Sequence, residues 1–333
     1  MKIGIFGAGS IGCHVGGMLA AAGNDVVLVG RKTMGERLAE GIVLTRFDGM
    51  DRIAAPESFE FSADPAALAG CDVVLLCLKS IATKEAARTM AGIVKPDAVV
   101  VSLQNGISNA AVLREHLADR TVLAGMVGFN VAQIGNNRFH CGTEGEIVLG
   151  AGEGATEIAG RLNDAGIETA VSSEIEAIQW GKLLLNLNNA VNALSGLPLK
   201  QELSSRPYRQ VLAASMREAL DVVKAAGIKP AKIAKVGPAM IPVVLSLPDW
   251  LFVRLAGSML KIDEDATSSM AEDLARGREA EIDWLNGEVV ALGRKTGVST
   301  PVNDRIVALV KAQFAGSGPQ RYSGVELKKA ALG

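Results

Sequence analysis

Cysteine, histidine and blocks of like charge are all scarce in this 333-residue chain. The four cysteines, Cys13, Cys71, Cys77 and Cys141, stand apart without CxxC spacing. That excludes a disulfide framework or a zinc cluster and fits small apolar thiols kept reduced. His14, His116 and His140 have no histidine four residues away and no HExxH motif, so no metal site is expected. Lys plus Arg number 34 and Asp plus Glu 36, a formal charge of −2, with no long run of either sign. Neither a nucleic-acid footprint nor an acidic tail is indicated. Long apolar runs are missing too. The greasiest stretch, Val236 to Leu260, is broken by Pro238, Pro242, Pro248, Asp249 and Arg254, whereas a bilayer span needs about 20 mostly apolar residues. The N-terminus lacks the basic start and cleavage site of a secretory signal. A soluble, cytoplasmic protein with no membrane or nucleic-acid partner is expected.

What is present is ample core material, 49% hydrophobic residues, in a chain long enough for more than one domain. Residues 2–6 read as a short buried strand, Ile11–Ala22 as a helix rich in alanine and glycine, and Asp25–Gly30 as a second strand. Between the first two lies Gly7-Ala8-Gly9-Ser10-Ile11-Gly12, a complete GxGxxG. Gly7 permits the tight turn, Gly9 lets backbone approach a pyrophosphate, and Gly12 lets helix and strand pack closely. Placed after a strand and before a helix, the motif indicates dinucleotide binding. An NAD site carries Asp or Glu at the end of the second strand, but here Gly30, Arg31 and Lys32 stand there. A guanidinium grips a 2′-phosphate that a carboxylate would repel, so NADP(H) is the expected cofactor.

The alternation continues. Asp72–Leu78 reads as a strand ending at Lys79-Ser80, residues 82–94 as a helix, and Ala98–Leu103 as a strand ending in Gln104-Asn105-Gly106. Ligands lie off the carboxyl ends of such strands, which directs Lys79 and Asn105 toward the cofactor cleft. Residues 41–61 read as a small antiparallel excursion, and three further strands after Arg120 are expected to complete the sheet. The chain then turns helical. The stretch 168–173 reads as a boundary, giving a Rossmann-type α/β domain over 1–170 and an all-α domain over 171–333, with Ser172 or Ser173 capping the next helix. Arg209–Ala226 forms an amphipathic helix, 246–260 an apolar one that is either core or a homodimer surface, and a long helix runs from about Ala266 to Thr296. Trp180, Trp250 and Trp284 are expected in the core, with Trp284 the one to watch for a pocket role.

Between Glu176 and Lys200 the only ionisable side chain is Lys182. A lone ammonium on an apolar helix needs a partner, a lowered pKa or a task. Positions four and seven residues on share its face, so Lys182, Asn186 and Asn189 form a polar stripe. On the long helix Ser269, Asp273, Gly277 and Glu281 recur at four-residue spacing. From spacing alone Glu281 reads as a solvated charge or as part of a site.

These residues together resemble the ketopantoate reductases (2-dehydropantoate 2-reductases) over essentially the whole chain. The marks are GAGSIG, the LKS and QNG after later strands, WGKLLLN, and SSM..D...GR..EID.LNG. The resemblance implies that Lys182 is the general acid protonating the substrate carbonyl and that Glu281 binds the substrate hydroxyl and orients the lysine. It implies substrate or lysine contacts at Asn105, Asn186 and Ser269, with Asn189 on the same face, and an NADPH site at Gly7, Gly9, Gly12, Arg31 and Lys79. Two positions depart from the pattern: Ala190 where the family often has asparagine, and Ala280 where many members have threonine. The expected reaction is reduction of 2-dehydropantoate. A reductase of another bulky 2-oxo acid and a non-catalytic NADP sensor are the alternatives.

Overall fold

In a computed structural model of the chain, residues 1–232, 236–256 and 264–333 are described. They divide into two compact units, Met1–Ile175 and Glu176–Gly333.

The first unit is built on twelve strands: β1 (Lys2–Phe6), β2 (Asp25–Val29), β3 (Ile42–Arg46), β4 (Asp51–Ala54), β5 (Glu60–Ser62), β6 (Val73–Leu76), β7 (Val99–Ser102), β8 (Thr121–Val127), β9 (Val131–Ile134), β10 (Arg138–Cys141), β11 (Ile147–Gly150) and β12 (Thr169–Ser172). Its helices are α1 (Ser10–Ala21), α2 (Lys32–Arg37), α3 (Thr83–Ile93), α4 (Asn109–His116) and α5 (Ala155–Asp164). The main sheet runs β12-β11-β8-β7-β6-β1-β2-β5. Every neighbouring pair in it is parallel except β8 with β11. Such strands carry continuous apolar runs because helices cover both faces, and β6 is buried at all four positions. On one face Val15, Met18 and Leu19 of α1 and Ile158 and Leu162 of α5 pack over Ile5, Leu75 and Val101. On the other, Ala86 and Met90 of α3 and Leu113 of α4 pack over Leu76 and Val100. The connections reverse direction between β1 and β6, the switch point where a doubly wound sheet opens a crevice at its carboxyl edge.

Three expectations are corrected here. Within 41–61 only β3 and β4 pair antiparallel, Val43 facing Ile53, while β5 runs parallel to β2 at the edge of the main sheet. Strands β9 and β10 do not complete that sheet; they join β3 and β4 in a separate four-stranded sheet. Their partial burial is the reason: β9 alternates half-buried with exposed residues, a pattern for a one-sided sheet. Ile42, Leu44 and Phe139 of this second sheet enter the cluster around α1. Lastly, the stretch 168–173, expected as the boundary, carries the edge strand β12, parallel to β11, and the first unit runs on to Ile175. Ser172 Oγ accepts the Glu174 N–H at 3.0 Å just before the next helix.

That helix, α6 (Ile175–Asn186), opens the second unit. It is followed by α7 (Asn188–Ser195), α8 (Leu199–Ser204), α9 (Arg206–Ala225), α10 (Ile241–Leu245), α11 (Asp249–Ala256), α12 (Ser269–Ala275), α13 (Asn286–Thr296), α14 (Pro301–Phe314) and α15 (Gly324–Leu332). The polar stripe on one helix is corrected: Leu187, still bonded to Leu183 O, separates two helices, so Asn189 lies on α7 while Lys182 and Asn186 lie on α6. Asparagines at 186, 188 and 189 compete for backbone groups and weaken a helix there.

The long helix over 266–296 is corrected more sharply. It ends at Ala275, because Gly277 sits in the left-handed region at φ +61°. The Gly277 N–H donates to Leu274 O and the Arg278 N–H to Asp273 O, the paired bonds that close a Schellman cap. Glu281 therefore leads into a 3₁₀ turn, Ile282–Trp284, rather than continuing the α12 face. The apolar helix expected over 246–260 is α11, with 257–260 outside the described residues. Trp180 is buried and Trp284 half-buried as core residues would be, but Trp250 is 71% exposed. Among the described residues, no helix is long and apolar enough to cross a membrane.

Candidate active site

At the carboxyl edge of the first unit, the loop after β1 is shaped by its glycines. Gly7 has φ +118°, and a Cβ there would lie 2.6 Å from Leu78 N in the loop after β6. A Cβ on Gly12 would lie 2.0 Å from Gly7 O, so α1 reaches this approach only without a side chain. Gly9 is the opposite case. Nothing stands within 4 Å of an added Cβ, the residue is exposed, and its backbone is extended as the N-cap of α1 with no side-chain cap. The first N–H groups of α1 thus emerge beside open space, the arrangement that receives a phosphate. Ala8 is buried in the turn, whereas Ser10 and Ile11 are half-buried at the helix start. Exposed Arg31 follows β2 and leads into α2.

The LKS and QNG loops lie on the same edge and are tied together. Ser80 Oγ donates to Asn105 O at 2.9 Å, and Asn109 Nδ2 donates to Asn105 O at 2.6 Å and Ser80 Oγ at 3.1 Å. Thr83 Oγ1 donates to Asn109 Oδ1 at 2.7 Å. Gln104 Nε2 donates to Thr83 Oγ1 at 2.8 Å and Leu78 O at 3.0 Å. This buried network fixes the backbones from which half-buried Lys79 and Asn105 project. The first unit therefore brings Gly7–Gly12, Arg31, Lys79 and Asn105 to one edge of one sheet. The positioning residues Gln104, Thr83 and Asn109 were missed in the sequence, where each reads as a turn or surface polar group. Their only signal is polarity inside otherwise apolar strand-end and helix-start segments.

In the second unit Lys182 lies on α6 between the buried Gly181 and Leu183. Burial drives its pKa down to about 8, against which the nearby Glu281 carboxylate pulls upward. The structure thus brings together the two groups that sequence spacing could not pair, through the chain reversal after Gly277. Asn186 is half-buried one turn beyond Lys182. Asn189 Nδ2 donates to Ser269 Oγ at 3.4 Å, joining α7 to the start of α12. Asp273, 6% exposed on α12, is buried rather than solvated.

The segment bearing Glu281 is held from behind by another network. Asn286, fully buried at the start of α13, donates through Nδ2 to Asn303 Oδ1 at 3.0 Å, and Ser215 Oγ donates to the same oxygen at 2.7 Å. Asn303 Nδ2 in turn donates to Glu218 Oε2 at 2.7 Å. Glu218 also accepts the backbone N–H groups of Val302 and Asn303, capping α14.

His14 serves packing. It is buried in α1, edge-on to Phe129 with ring centroids 5.8 Å apart, and burial lowers its pKa to about 4. Among the described residues, no group of three or more His, Cys, Asp or Glu could hold a metal ion.

Against known proteins, the family description "Ketopantoate reductase PanE/ApbA" matches residues 3–154 and its C-terminal counterpart matches residues 174–314. A 2-dehydropantoate 2-reductase of Halobacterium salinarum is 30% identical, over 93% of this chain and 98% of that protein. The crystal structure of a PanE/ApbA family ketopantoate reductase from Ralstonia eutropha JMP134 superposes with TM-score 0.82 at 32% identity, covering 95% of this chain and 99% of that one. D-mandelate dehydrogenase, solved with NADH and anilino(oxo)acetate, shares the fold with TM-score 0.77 at 21% identity, covering 95% and 99% of the two chains. With both halves matched in order and relatives aligned nearly end to end, the chain belongs to the ketopantoate reductase family of oxidoreductases.

Proposed function

We propose that this chain reduces 2-dehydropantoate to pantoate with NADPH, a step supplying pantothenate synthesis in the cytoplasm. The observation that carries the reading is Lys182, a lone ammonium set between buried Gly181 and Leu183 on α6, with Glu281 close enough to act on its charge. Gly7, Ala8, Gly9, Ser10, Ile11 and Gly12 would hold the pyrophosphate, since the loop leaves open space where a side chain would stand at Gly9. Arg31 would hold the 2′-phosphate, and Lys79 and Asn105 would line the same edge. When bound, the nicotinamide supplies a hydride to the substrate's carbonyl carbon.

The chain's own residues do the rest. Charge grows on the carbonyl oxygen as the ketone is reduced, and Lys182 Nζ gives that oxygen its proton and stabilises the charge beforehand. A pKa near 8 keeps the ammonium protonated at neutral pH yet acidic enough to let the proton go. Glu281 keeps the lysine charged and accepts a hydrogen bond from a substrate hydroxyl. Asn186, Asn189 and Ser269 present amide and hydroxyl groups to the acid.

A second reading, reduction of another bulky 2-oxo acid, is favoured by Ala190 and Ala280, where family members often carry asparagine and threonine. Contacts to a distal hydroxyl set such discrimination. The test is kcat/KM over a panel of 2-oxo acids with NADPH and with NADH. 2-Dehydropantoate should lead the panel, and NADPH should lead NADH until Arg31→Asp removes the preference. A different acid leading by tenfold or more would transfer the reading to it.

A further inference from the structure

Behind the Asn189–Ser269 pair lies a buried carboxyl group with no part in the proton transfer. Glu202, on α8, is 0% exposed. Its Oε2 accepts Asn188 Nδ2 and Asn192 Nδ2, each at 3.2 Å, from two residues one turn apart on α7. Asn192 extends the chain of contacts. Its Nδ2 also donates to Leu197 O at 2.9 Å, and its Oδ1 accepts the backbone N–H of Ser268 at 2.9 Å. Ser268 Oγ donates to Asn189 O at 3.2 Å and accepts the Ala271 N–H, capping α12. Ser269 comes next in the chain and accepts Asn189 Nδ2. Hydrogen bonds therefore run from Glu202 through Asn192 and Ser268 to the backbone of Asn189, and Ser269 follows Ser268 directly in the chain.

The hydrogen-bond inventory around Glu202 is unbalanced for a carboxylate. Among the described residues, Glu202 Oε1 and Asn188 Oδ1 are both buried acceptors with no donor. Such orphaned acceptors are costly, and a buried carboxylate with no cation is costlier still. Among the described residues, the charged and titratable neighbours do not relieve it. Lys200 on the same helix pairs with Glu264. Arg209 on α9 is engaged by the carbonyls of Leu203, Leu245 and Leu247 and by Asp249. Tyr208 on α9 has its pKa raised by burial first and then by a negative charge on Glu202, so it offers no compensating cation. A proton on Oε1 removes the uncompensated charge and turns one orphaned acceptor into a donor, leaving Oε2 to accept both asparagine amides.

We propose that Glu202 is a positioning residue of the 2-oxo acid site: as a neutral carboxylic acid it locks Asn188 and Asn192 and, through Ser268, sets the Asn189–Ser269 pair. Burial pushes its pKa up to about 8, in agreement. The inference rests on the reading of Asn189 and Ser269 as substrate contacts.

The test compares wild type, Glu202→Gln and Glu202→Leu for KM and kcat with 2-dehydropantoate, for NADPH affinity by fluorescence, and by infrared difference spectroscopy. Glutamine copies the neutral acid's donor and acceptor and should keep the wild-type KM at pH 7. Leucine removes the acceptor that the two asparagine amides share and leaves Asn192 Nδ2 with Leu197 O alone. Its KM should rise about tenfold, the loss expected for one or two weakened contacts, with kcat and NADPH affinity nearly unchanged. Above pH 8 both share the Lys182 titration, but wild type should lose more substrate affinity than Glu202→Gln, because it alone also ionises at position 202. The infrared spectrum at pH 7 should hold a protonated-carboxyl band that Glu202→Gln removes.

A glutamine variant as impaired as leucine, or no such band, would overturn the neutral acid. An unchanged KM in Glu202→Leu would overturn the positioning role. If leucine does not fold, an alkaline loss of substrate affinity equal in wild type and Glu202→Gln overturns that role instead. Turnover surviving in Lys182→Ala would count against the functional reading, a result separate from the infrared one.

Discussion

Lys182 is under two opposed influences: burial favours its neutral form, and the Glu281 carboxylate favours its charged form. Their balance near 8 has a direct kinetic consequence. A general acid works only while protonated, so kcat/KM for reduction should be flat at neutral pH and fall about tenfold per unit above pH 8. Replacing Glu281 with glutamine removes the upward pull, so the Lys182 pKa drops and the falling limb moves to lower pH. A Glu281→Gln profile that stayed in place or moved up would contradict the coupling. At this scale much was legible. A lone lysine in an apolar segment is informative because burying charge is expensive, and no fold is needed to see it. Glu281 was not legible as its partner from periodicity, since a straight helix through 266–296 would have carried Glu281 past Gly277 on the wrong geometry.

The elements that place these residues depend on a few backbone and side-chain devices. The left-handed Gly277 ends α12 and turns the chain so that Glu281 enters a 3₁₀ turn. Nothing crowds a Cβ there, so Gly277→Ala should cost about 1 kcal/mol from backbone strain alone, measured by urea denaturation. It should lower kcat as well, because it reorients Glu281. A second device is Arg209, fully buried on α9, which donates four hydrogen bonds among the described residues and holds its guanidinium 4.1 Å above the Phe252 ring. Three of those bonds satisfy carbonyls of Leu203, Leu245 and Leu247, which no apolar residue could do. Arg209→Ala should cost about 3 kcal/mol, and lysine, lacking the planar fork, should recover little of it. Element types in the first unit followed from β-branched runs and glycine punctuation. What escaped was which sheet each strand joins: β9 and β10 alternate weakly, and pairing is settled by contacts with α1 and β3 that no local pattern encodes. The break at Gly277 was visible as a glycine, yet its effect depended on a Schellman cap that spacing arguments on a continuous helix overlook.

For the molecule as a whole, the buried acid gives stability a pH signature. Glu202 is raised from the ordinary carboxyl range to about 8, so the folded state holds a proton the unfolded chain has released. Stability from this group is complete below the unfolded pKa and is lost as pH rises through the window up to about 8. Glu202→Gln should therefore gain in melting temperature over wild type as pH goes from 5 to 8, and a constant difference would contradict the linkage. Family membership was legible before any coordinates because the glycine loop, the lone lysine and the Ser269–Asn286 signature occur in one chain in the family's order. The networks of Gln104, Asn109, Asn192 and Asn303 were not, since buried asparagines and glutamines look like surface polar groups until their helices are packed. The central claim, that Lys182 protonates a 2-oxo acid during NADPH-dependent reduction, is tested most directly by following NADPH absorbance with 2-dehydropantoate. Wild type should turn over, and Lys182→Ala should bind NADPH with unchanged affinity yet lose at least about a hundredfold in kcat. A Lys182→Ala enzyme that keeps the wild-type kcat would contradict the account.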